Sequence, residues 1–160
     1  MLSDEKKCAL LRRLITDNDE TIHIILAMQK IPDECACEIV KTLSENESKR
    51  VRRFTIQYQH DLPDECSCDI INQMAESGDR FMRRTITVYQ SKLPDDCACD
   101  LFGRFANDSD DGLRAAVARK RTLPNKCACE IMEKLRDDKD IDVSTNAMMN
   151  PLYERCKHAN

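Results

Sequence analysis

Cysteine is the residue type with which this chain is best equipped for chemistry. Its 160 residues include ten cysteines. Eight of them form four Cys-X-Cys motifs, at Cys35 and Cys37, Cys66 and Cys68, Cys97 and Cys99, and Cys127 and Cys129. The other two are Cys8 and Cys156. Such thiols can form disulfide bonds, bind copper(I), zinc or an iron–sulfur cluster, or stay buried as small apolar side chains.

Each motif follows a proline that recurs at a nearly constant distance. The recurring prolines are Pro32, Pro63, Pro94, Pro124 and Pro151, at intervals of 31, 31, 30 and 27 residues. A period in this range indicates stacked supersecondary units. After the proline, apolar residues with helical spacing predict an amphipathic helix, called helix A. In the fourth unit these are Ala128, Ile131, Met132 and Leu135. A polar turn and a second helix, helix B, complete each unit.

The segment before the first proline fits the same frame. It provides a helix A that lacks the proline, with Ser3 as its predicted N-cap, and a helix B within residues 19–30. We therefore predict an all-α α-solenoid of about five helical-hairpin repeats of 27–31 residues, in a single domain, 1–160. The predicted repeats are 3–30, 31–61, 62–92, 93–122 and 123–150, followed by a C-terminal capping segment, 151–160.

One stretch, DDGLRAAVARKRTLPNKCACEIMEKLRDD at residues 110–138, contains the whole pattern. An acidic turn precedes an apolar residue and an arginine, and an alanine-rich helix, Leu-Pro and a second helix follow. In this order the chain resembles the HEAT-like α-solenoids, and more closely their leucine-rich-repeat-variant type. The resemblance implies a right-handed superhelical stack with a binding or scaffolding role and no catalytic residues. The paired cysteines are not part of that family's usual pattern.

Helix geometry explains why the two cysteines of a motif lie two residues apart. Residues i and i+2 of an α-helix are about 200° apart, so Cys35 and Cys37 flank the core stripe that Ala36 shares with Ile39 and Val40. One thiol then faces the previous repeat and the other faces the next, near enough for a disulfide. In a right-handed stack the second cysteine of one repeat meets the first cysteine of the next.

This register predicts five disulfides that use all ten cysteines. The pairs are Cys8–Cys35, Cys37–Cys66, Cys68–Cys97, Cys99–Cys127 and Cys129–Cys156. The last pair requires that the final helix is offset from the others. Each bond closes a loop of about 28 residues, worth roughly 3–4 kcal/mol on the chain-entropy model. Three alternatives stay open: the opposite register with Cys35–Cys68, buried free thiols, and a metal site with ligands from two repeats.

Arginines are the second candidate group, because several lie ten or eleven residues before a repeat proline. The candidate binding residues are Arg52, Arg53, Arg83, Arg84, Arg114 and Arg119, the last in the basic cluster ARKRT at 118–122. One interpretation is a ladder that binds phosphates or an acidic partner. The other, which the HEAT-like resemblance favours, is pairing with acidic turns of the same or the next repeat. The expected acids are Asp79, Asp110, Asp111 and Asp140. The basic cluster is predicted to be a solvated helix C-terminus.

Composition limits the other possibilities. A net charge of −4 favours a protein partner over nucleic acid. No stretch approaches about 20 consecutive apolar residues, so we expect no membrane span. No catalytic or cofactor motif is visible, so we expect neither enzyme activity nor a cofactor. The cysteines indicate an oxidising compartment, whereas the N-terminus shows no signal peptide, so localisation stays open. The main prediction is a disulfide-stapled scaffold that binds protein, with nucleic-acid binding and thiol-based metal binding as alternatives.

Overall fold

The computed structural model describes residues 2–77 and 79–157. Over these residues the chain forms eleven α-helices and no strand. The helices are α1 (Asp4–Leu14), α2 (Glu20–Met28), α3 (Asp33–Ser44), α4 (Lys49–Tyr58), α5 (Asp64–Ser77), α6 (Arg80–Tyr89), α7 (Asp95–Phe105), α8 (Asp111–Arg119), α9 (Asn125–Arg136), α10 (Ile141–Met148) and α11 (Pro151–Lys157). They divide into two compact units: unit 1 ends at Gly78 and unit 2 begins at Asp79.

Local caps determine where the helices begin. Every B helix follows a serine or aspartate whose side chain accepts a hydrogen bond from a backbone N–H of the first turn. These N-caps are Asp19, Ser48, Asp79, Asp110 and Asp140. Ser3 caps α1 in the same way, as predicted. Helices α3, α7 and α9 start directly after a repeat proline, whose fixed φ suits a helix start.

Each unit has two helical layers. In unit 1 the A helices α1, α3 and α5 pack side by side, and the B helices α2 and α4 pack on each other. In unit 2 the A layer contains α7, α9 and α11, and the B layer contains α6, α8 and α10. Hairpins stacked with their layers in register are the packing expected of a helical repeat, so the all-α prediction is confirmed. The right-handed coil stays a prediction.

The core lies between the two layers and contains the predicted apolar stripes. In α9, Ala128, Ile131, Met132 and Leu135 are at most 5% exposed, and in α3 Ala36, Ile39, Val40 and Leu43 are at most 3% exposed. The single predicted domain stays untested, although the boundary between the units falls inside the predicted repeat 62–92. Within the predicted capping segment, α11 covers Pro151–Lys157, and residues 158–160 lie outside the described part of the chain.

Candidate functional site

Disulfide bonds join neighbouring A helices in both units. Unit 1 contains Cys8–Cys35 and Cys37–Cys66, and unit 2 contains Cys99–Cys127 and Cys129–Cys156. Their Cα atoms are 5.4–5.9 Å apart, the separation that a disulfide requires. These are four of the five predicted pairs. Cys68 and Cys97 are also disulfide-bonded, and their predicted pairing with each other stays a prediction.

The two cysteines of a motif differ in burial, as their opposite directions require. Cys35, Cys97 and Cys127, each first in its motif, are 2–8% exposed, whereas the second cysteines are only half-buried. The motif in α5 departs from this rule, because Cys66 and Cys68 are both half-buried. Each bond therefore joins a buried or half-buried cysteine of one A helix to a cysteine of the next A helix.

The last helix reaches its disulfide from a shifted position. The proline is the first residue of α11, whereas α3, α7 and α9 begin one residue after theirs. Cys156 is thus the sixth residue of its helix, and Cys127 is the third of α9. Three residues amount to almost one helical turn, so the two thiols lie on similar sides of their helices. This is the offset that the predicted Cys129–Cys156 pair requires.

Oxidation removes the ligands that the metal hypothesis needs. All ten cysteines are disulfide-bonded, and a metal-binding cysteine must be a thiolate. The part of the chain described here also brings together no group of three or more histidine, cysteine or acidic side chains that could hold a metal ion. The alternatives of free thiols and of the opposite register do not agree with the four observed bonds.

Arg114 is the most completely buried of the candidate arginines, at 6% exposed. Its Nε donates to Asp138 Oδ2 at 2.7 Å and its Nη2 to Asp138 Oδ1 at 3.0 Å. Its Nη1 donates to the backbone carbonyls of Asp108 and Ser109 at 2.9 and 3.2 Å. The hydrogen bond from Arg114 lowers the pKa of Asp138, and the same bond raises the pKa of Arg114. Arg114 thereby joins its own turn to the turn of the next repeat.

Arg83 and Arg84 of α6 make the equivalent contacts one repeat earlier. Arg83 Nε lies 3.3 Å from Asp108 Oδ2. Arg84 binds Asp110, the N-cap of α8. Its guanidinium lies where a side chain at Gly112 would be, so the glycine makes room for the ion pair. Burial opposes ionisation of Asp110, but the hydrogen bond and charge of Arg84, together with the backbone N–H groups of Leu113 and Gly112, leave the pKa of Asp110 lowered.

The arginines of unit 1 are arranged differently. Arg52 donates to the carbonyls of Asn46 and Glu47 in its own turn, at 2.5 and 2.8 Å. One repeat earlier, the position of Arg52 is taken by His23, whose Nε2 lies 3.1 Å from the carbonyl of Ile15. Its Nδ1 lies 2.8 Å from the Asn46 amide of the next repeat. These contacts fall on turns of unit 1 that are equivalent to the turns bound by the arginines of unit 2.

The structure therefore uses four of the six candidate arginines to hold turns. Arg53 and Arg119 are exposed. The acids that bind Arg83 and Arg114 are not among those expected from the sequence. Asp79 and Asp140 are N-caps, and the carboxylates that bind Arg83 and Arg114 come two residues before the N-cap, at Asp108 and Asp138. Of the expected acids, Asp110 is an ion-pair partner, of Arg84.

A row of buried polar side chains at the ends of the B helices was missed in the sequence. Gln59 Nε2 donates to the carbonyls of Ala27 and Gln29, both at 2.7 Å. Asn150 Nδ2 donates to the carbonyls of Ala118 and Lys120 at 2.7 and 2.9 Å. Each side chain thus satisfies carbonyls at the C-terminus of the preceding B helix, which have no partner within that helix. We call this row the C-cap ladder.

Lys120, the C-cap of α8, occupies the same ladder position. Its Nζ donates to the carbonyls of Thr87 and Gln90 at 2.8 and 2.5 Å and lies 4.6 Å from the centre of the Phe102 ring. Burial lowers the pKa of Lys120 to about 8. The prediction of a solvated basic cluster is wrong for this residue, which is 7% exposed, although its neighbours Arg119 and Arg121 are exposed. The sequence does contain a signal of the C-cap ladder, because Gln59, Gln90 and Lys120 each lie four residues before a repeat proline.

Apolar side chains are exposed on the B helices of both units. In unit 1, Tyr58 is 39% exposed and stacks on Phe54, with ring centres 5.9 Å apart. In unit 2, the outward side of α6 carries Phe81 at 64%, Val88 at 66% and Tyr89 at 39% exposed. Exposed apolar side chains that lie together on one surface mark interaction sites.

Comparison with known proteins adds no assignment. No protein-family model matches the chain, and no curated protein matches it. Among residues 2–77 and 79–157, no helix combines the length and the apolar character needed to cross a membrane. The function is therefore inferred from the geometry described above.

Proposed function

We propose that this chain is a non-enzymatic scaffold, HEAT-like in its repeat architecture, that binds a protein partner through the outer surface of its B helices. The disulfides and the C-cap ladder hold successive helices in fixed positions. A surface that is rigid before binding loses little conformational entropy when a partner docks. A disulfide-stabilised helical stack is therefore a suitable frame for a binding surface.

The observation that carries the proposal is the exposed surface of α6. Phe81 and Val88 are seven residues apart, so they lie on the same side of the helix, two turns from each other. About two thirds of each side chain is exposed. Arg80 lies over the Phe81 ring, with its guanidinium carbon 5.2 Å from the ring centre. We call Arg80, Phe81, Val88 and Tyr89 the α6 surface.

The chemistry of the α6 surface indicates the kind of partner. Aromatic and arginine side chains dominate the binding energy of protein interfaces. An apolar side chain of the partner would pack between Phe81 and Val88, and a carboxylate beside it would pair with Arg80. The expected ligand is therefore a protein segment with alternating apolar and acidic residues.

Nucleic-acid binding has weaker support. Arg52, Arg83, Arg84 and Arg114 already bind carbonyls or carboxylates of this chain. An arginine that is held in an internal ion pair has few donors left for phosphate. Binding to DNA or RNA at low salt that falls steeply as salt rises would favour this alternative.

A library of random peptides displayed on phage, selected on the oxidised protein, tests the proposal. We expect enrichment of peptides that combine apolar and acidic residues. The Phe81→Ala, Val88→Ala double variant should bind them at least about tenfold more weakly, because anchor residues at interfaces contribute about 2 kcal/mol or more. Met149→Ala is the matched control, since Met149, the C-cap of α10, is 78% exposed and lies outside the α6 surface.

Two results would overturn the proposal. One is selection that enriches no peptide above background. The other is equal affinity of the enriched peptides for the wild type and the double variant, which would place binding elsewhere on the chain.

A further inference from the structure

The disulfides of the A layer differ in how far solvent can reach them. Cys8 and Cys35 are each 2% exposed, so their bond lies wholly inside the protein. In unit 2 each described bond includes one cysteine that is at most 8% exposed. In the bond between Cys37 and Cys66 both cysteines are half-buried. Among the four bonds that the structure describes, this is the one whose two cysteines are both partly exposed.

A cavity opens onto this bond between α3 and α5. Its volume is about 310 Å³, near the lower end of the range for pockets that hold small molecules. Cys37 and Cys66 line it together with Glu38, Lys41 and Asp69. We call it the α3–α5 cavity. A small molecule inside it lies beside both cysteines of the bond.

Lys41 places a positive charge next to one of the two sulfur atoms. It comes four residues after Cys37 in α3, so the two side chains lie on the same side of the helix, one turn apart. Glu38 has its charge compensated, because its Oε2 accepts a hydrogen bond from Arg12 Nε at 2.8 Å. A lysine ammonium near a cysteine stabilises the thiolate form of that cysteine. Cys37 is therefore favoured as the sulfur that leaves when the bond is attacked.

The surroundings of Cys66 favour the same direction. Cys66 lies in the first turn of α5, where the helix dipole would help a thiolate. Three carboxylates oppose that effect: Asp64 and Glu65 precede Cys66 directly, and Asp69 follows one turn later and lines the cavity. Negative charges nearby destabilise a thiolate at Cys66, so this sulfur is the better electrophile and the poorer leaving group.

We propose that the Cys37–Cys66 bond is a site of thiol–disulfide exchange with a low-molecular-weight thiol of the glutathione class. The thiolate of that molecule attacks Sγ of Cys66 and forms a mixed disulfide there. The bond between Cys66 and Cys37 breaks, and its electron pair goes to Cys37. A second thiolate attacks the outer sulfur of the mixed disulfide, which releases Cys66 and the oxidised dimer of the small thiol. Two thiols thus supply the two electrons, and their two protons end on Cys37 and Cys66.

The remaining contacts of unit 1 hold α5 in place after this bond opens. Ile70, Ile71 and Met74 of α5 are 1–3% exposed and stay in the core. Gln73 Nε2 donates to Oε1 of Glu45, the C-cap of α3, at 3.1 Å. Exchange therefore opens one joint of the A layer without unfolding the chain. The inference does not depend on partner binding at the α6 surface.

Incubation of the oxidised protein with a small excess of reduced glutathione tests the proposal. Samples taken over time are acidified, their free thiols are alkylated with N-ethylmaleimide, and tandem mass spectrometry assigns each modification to one cysteine. Cys37 should be the first cysteine alkylated, and Cys66 the first to carry glutathione. We expect this bond to open at least about tenfold faster than Cys99–Cys127, because access governs the rate. Circular dichroism of the same samples should keep its helical signal.

Substitutions at equivalent positions of α3 and α7 test the role of Lys41. Lys41→Gln should slow the opening of Cys37–Cys66 about two- to fivefold, because the leaving thiolate loses its cation. Lys30→Gln is the matched control, since Lys30 is an exposed lysine of unit 1 that does not line the cavity. Gly103 lies four residues after Cys99, and nothing is within 4 Å of a Cβ added there. Gly103→Lys should speed the opening of Cys99–Cys127 by a similar factor.

Three outcomes would overturn the proposal. One is a different bond that opens first, and another is opening of all bonds at a single rate together with loss of the helical signal. The third is a glutathione adduct that forms on Cys37 instead of Cys66, which would reverse the direction of attack. Unchanged rates in both Lys41→Gln and Gly103→Lys would refute the role of the lysine. Peptide binding at the α6 surface is measured separately, so either proposal can fail while the other stands.

Discussion

The two layers of each unit join their repeats by different chemistry. In the A layer the joint is a disulfide, and it is the same pair of residue types at every junction described. In the B layer the joint is a ladder side chain that caps the preceding helix, and its residue type changes from Gln59 to Lys120 to Asn150. A disulfide accepts one residue type only, whereas a pair of carbonyls accepts any donor of suitable length. The residues that join neighbouring A helices are therefore always cysteines at the junctions described, whereas the residue that caps the preceding B helix varies in type.

Reduction breaks the disulfides of the A layer and leaves the hydrogen bonds of the B layer in place. It should lower the stability of the protein more than any single substitution. Each disulfide adds roughly 3–4 kcal/mol on the chain-entropy model, and typical domains are stable by only about 5–15 kcal/mol. We expect dithiothreitol to lower the melting temperature by tens of degrees or to unfold the protein at room temperature. Circular dichroism with and without reductant measures this. A reduced protein that melts within a few degrees of the oxidised one would show that the B layer alone holds the repeats.

Substitution of Arg114 should cause the next largest loss of stability. Arg114→Ala removes the guanidinium that pairs with the Asp138 carboxylate and donates to two carbonyls, and breaking a buried ion pair costs about 3–5 kcal/mol. Arg119→Ala, on the same helix but exposed, should change stability by less than about 0.5 kcal/mol. Urea unfolding of both variants measures the difference. Equal effects of the two substitutions would refute the role assigned to Arg114.

The Arg114–Asp138 ion pair should make the stability of the protein depend on pH in the acid range. The pKa of Asp138 is lowered in the folded protein, so its contribution is complete above the unfolded pKa of about 3.9 and disappears as pH falls through the lower folded value. The stability difference between wild type and Arg114→Ala should therefore shrink only below about pH 4.

Lys120 should make the B layer sensitive to alkaline pH. Its pKa falls from 10.5 to about 8 on folding, so the unfolded chain binds more protons between these values and stability rises with pH. Lys120→Gln, which places the residue of Gln59 and Gln90 at this ladder position, should remove that rise. The wild type should gain about 3 kcal/mol relative to the variant between pH 7 and pH 10.5, since one pKa unit is about 1.4 kcal/mol. Urea unfolding at several pH values measures the stability of both proteins. If both stabilities changed with pH in the same way, the lowered pKa of Lys120 would be contradicted.

Substitution of two glycines that lie in helices should give the smallest changes in stability, and the two changes should have opposite signs. An added Cβ at Gly112 would overlap the Arg84 guanidinium, whereas nothing lies within 4 Å of one at Gly103. Gly103→Ala should stabilise the protein by about 0.5–1 kcal/mol through lower chain entropy in the unfolded state. Gly112→Ala should destabilise it by about 1 kcal/mol, because the displaced arginine loses Asp110. In an Arg84→Ala background, Gly112→Ala should become stabilising. Thermal unfolding of the wild type and the four variants, Arg84→Ala among them, measures these changes.

The sequence predicted the parts of the molecule that depend on local geometry. The directions of Cys35 and Cys37 follow from the rotation between helical residues, and the unmatched Cys8 fixes the register at the start of the stack. The helix starts follow from prolines and from capping residues such as Ser3, which act within one turn of their own position. These features require no knowledge of how distant segments approach.

The charged and polar contacts depended on the tertiary structure. Arg114 and Asp138 are 24 residues apart, and Lys120 binds a carbonyl 33 residues away. Whether a lysine in ARKRT is solvated or buried depends on where the preceding B helix ends, and residue type alone predicts the wrong answer there. The sequence determined how each helix begins, which way its cysteines point and how many repeats exist, because these are properties of single helices. Packing alone decided which carbonyls, carboxylates and rings lie within hydrogen-bonding or van der Waals distance, because those distances depend on two helices at once.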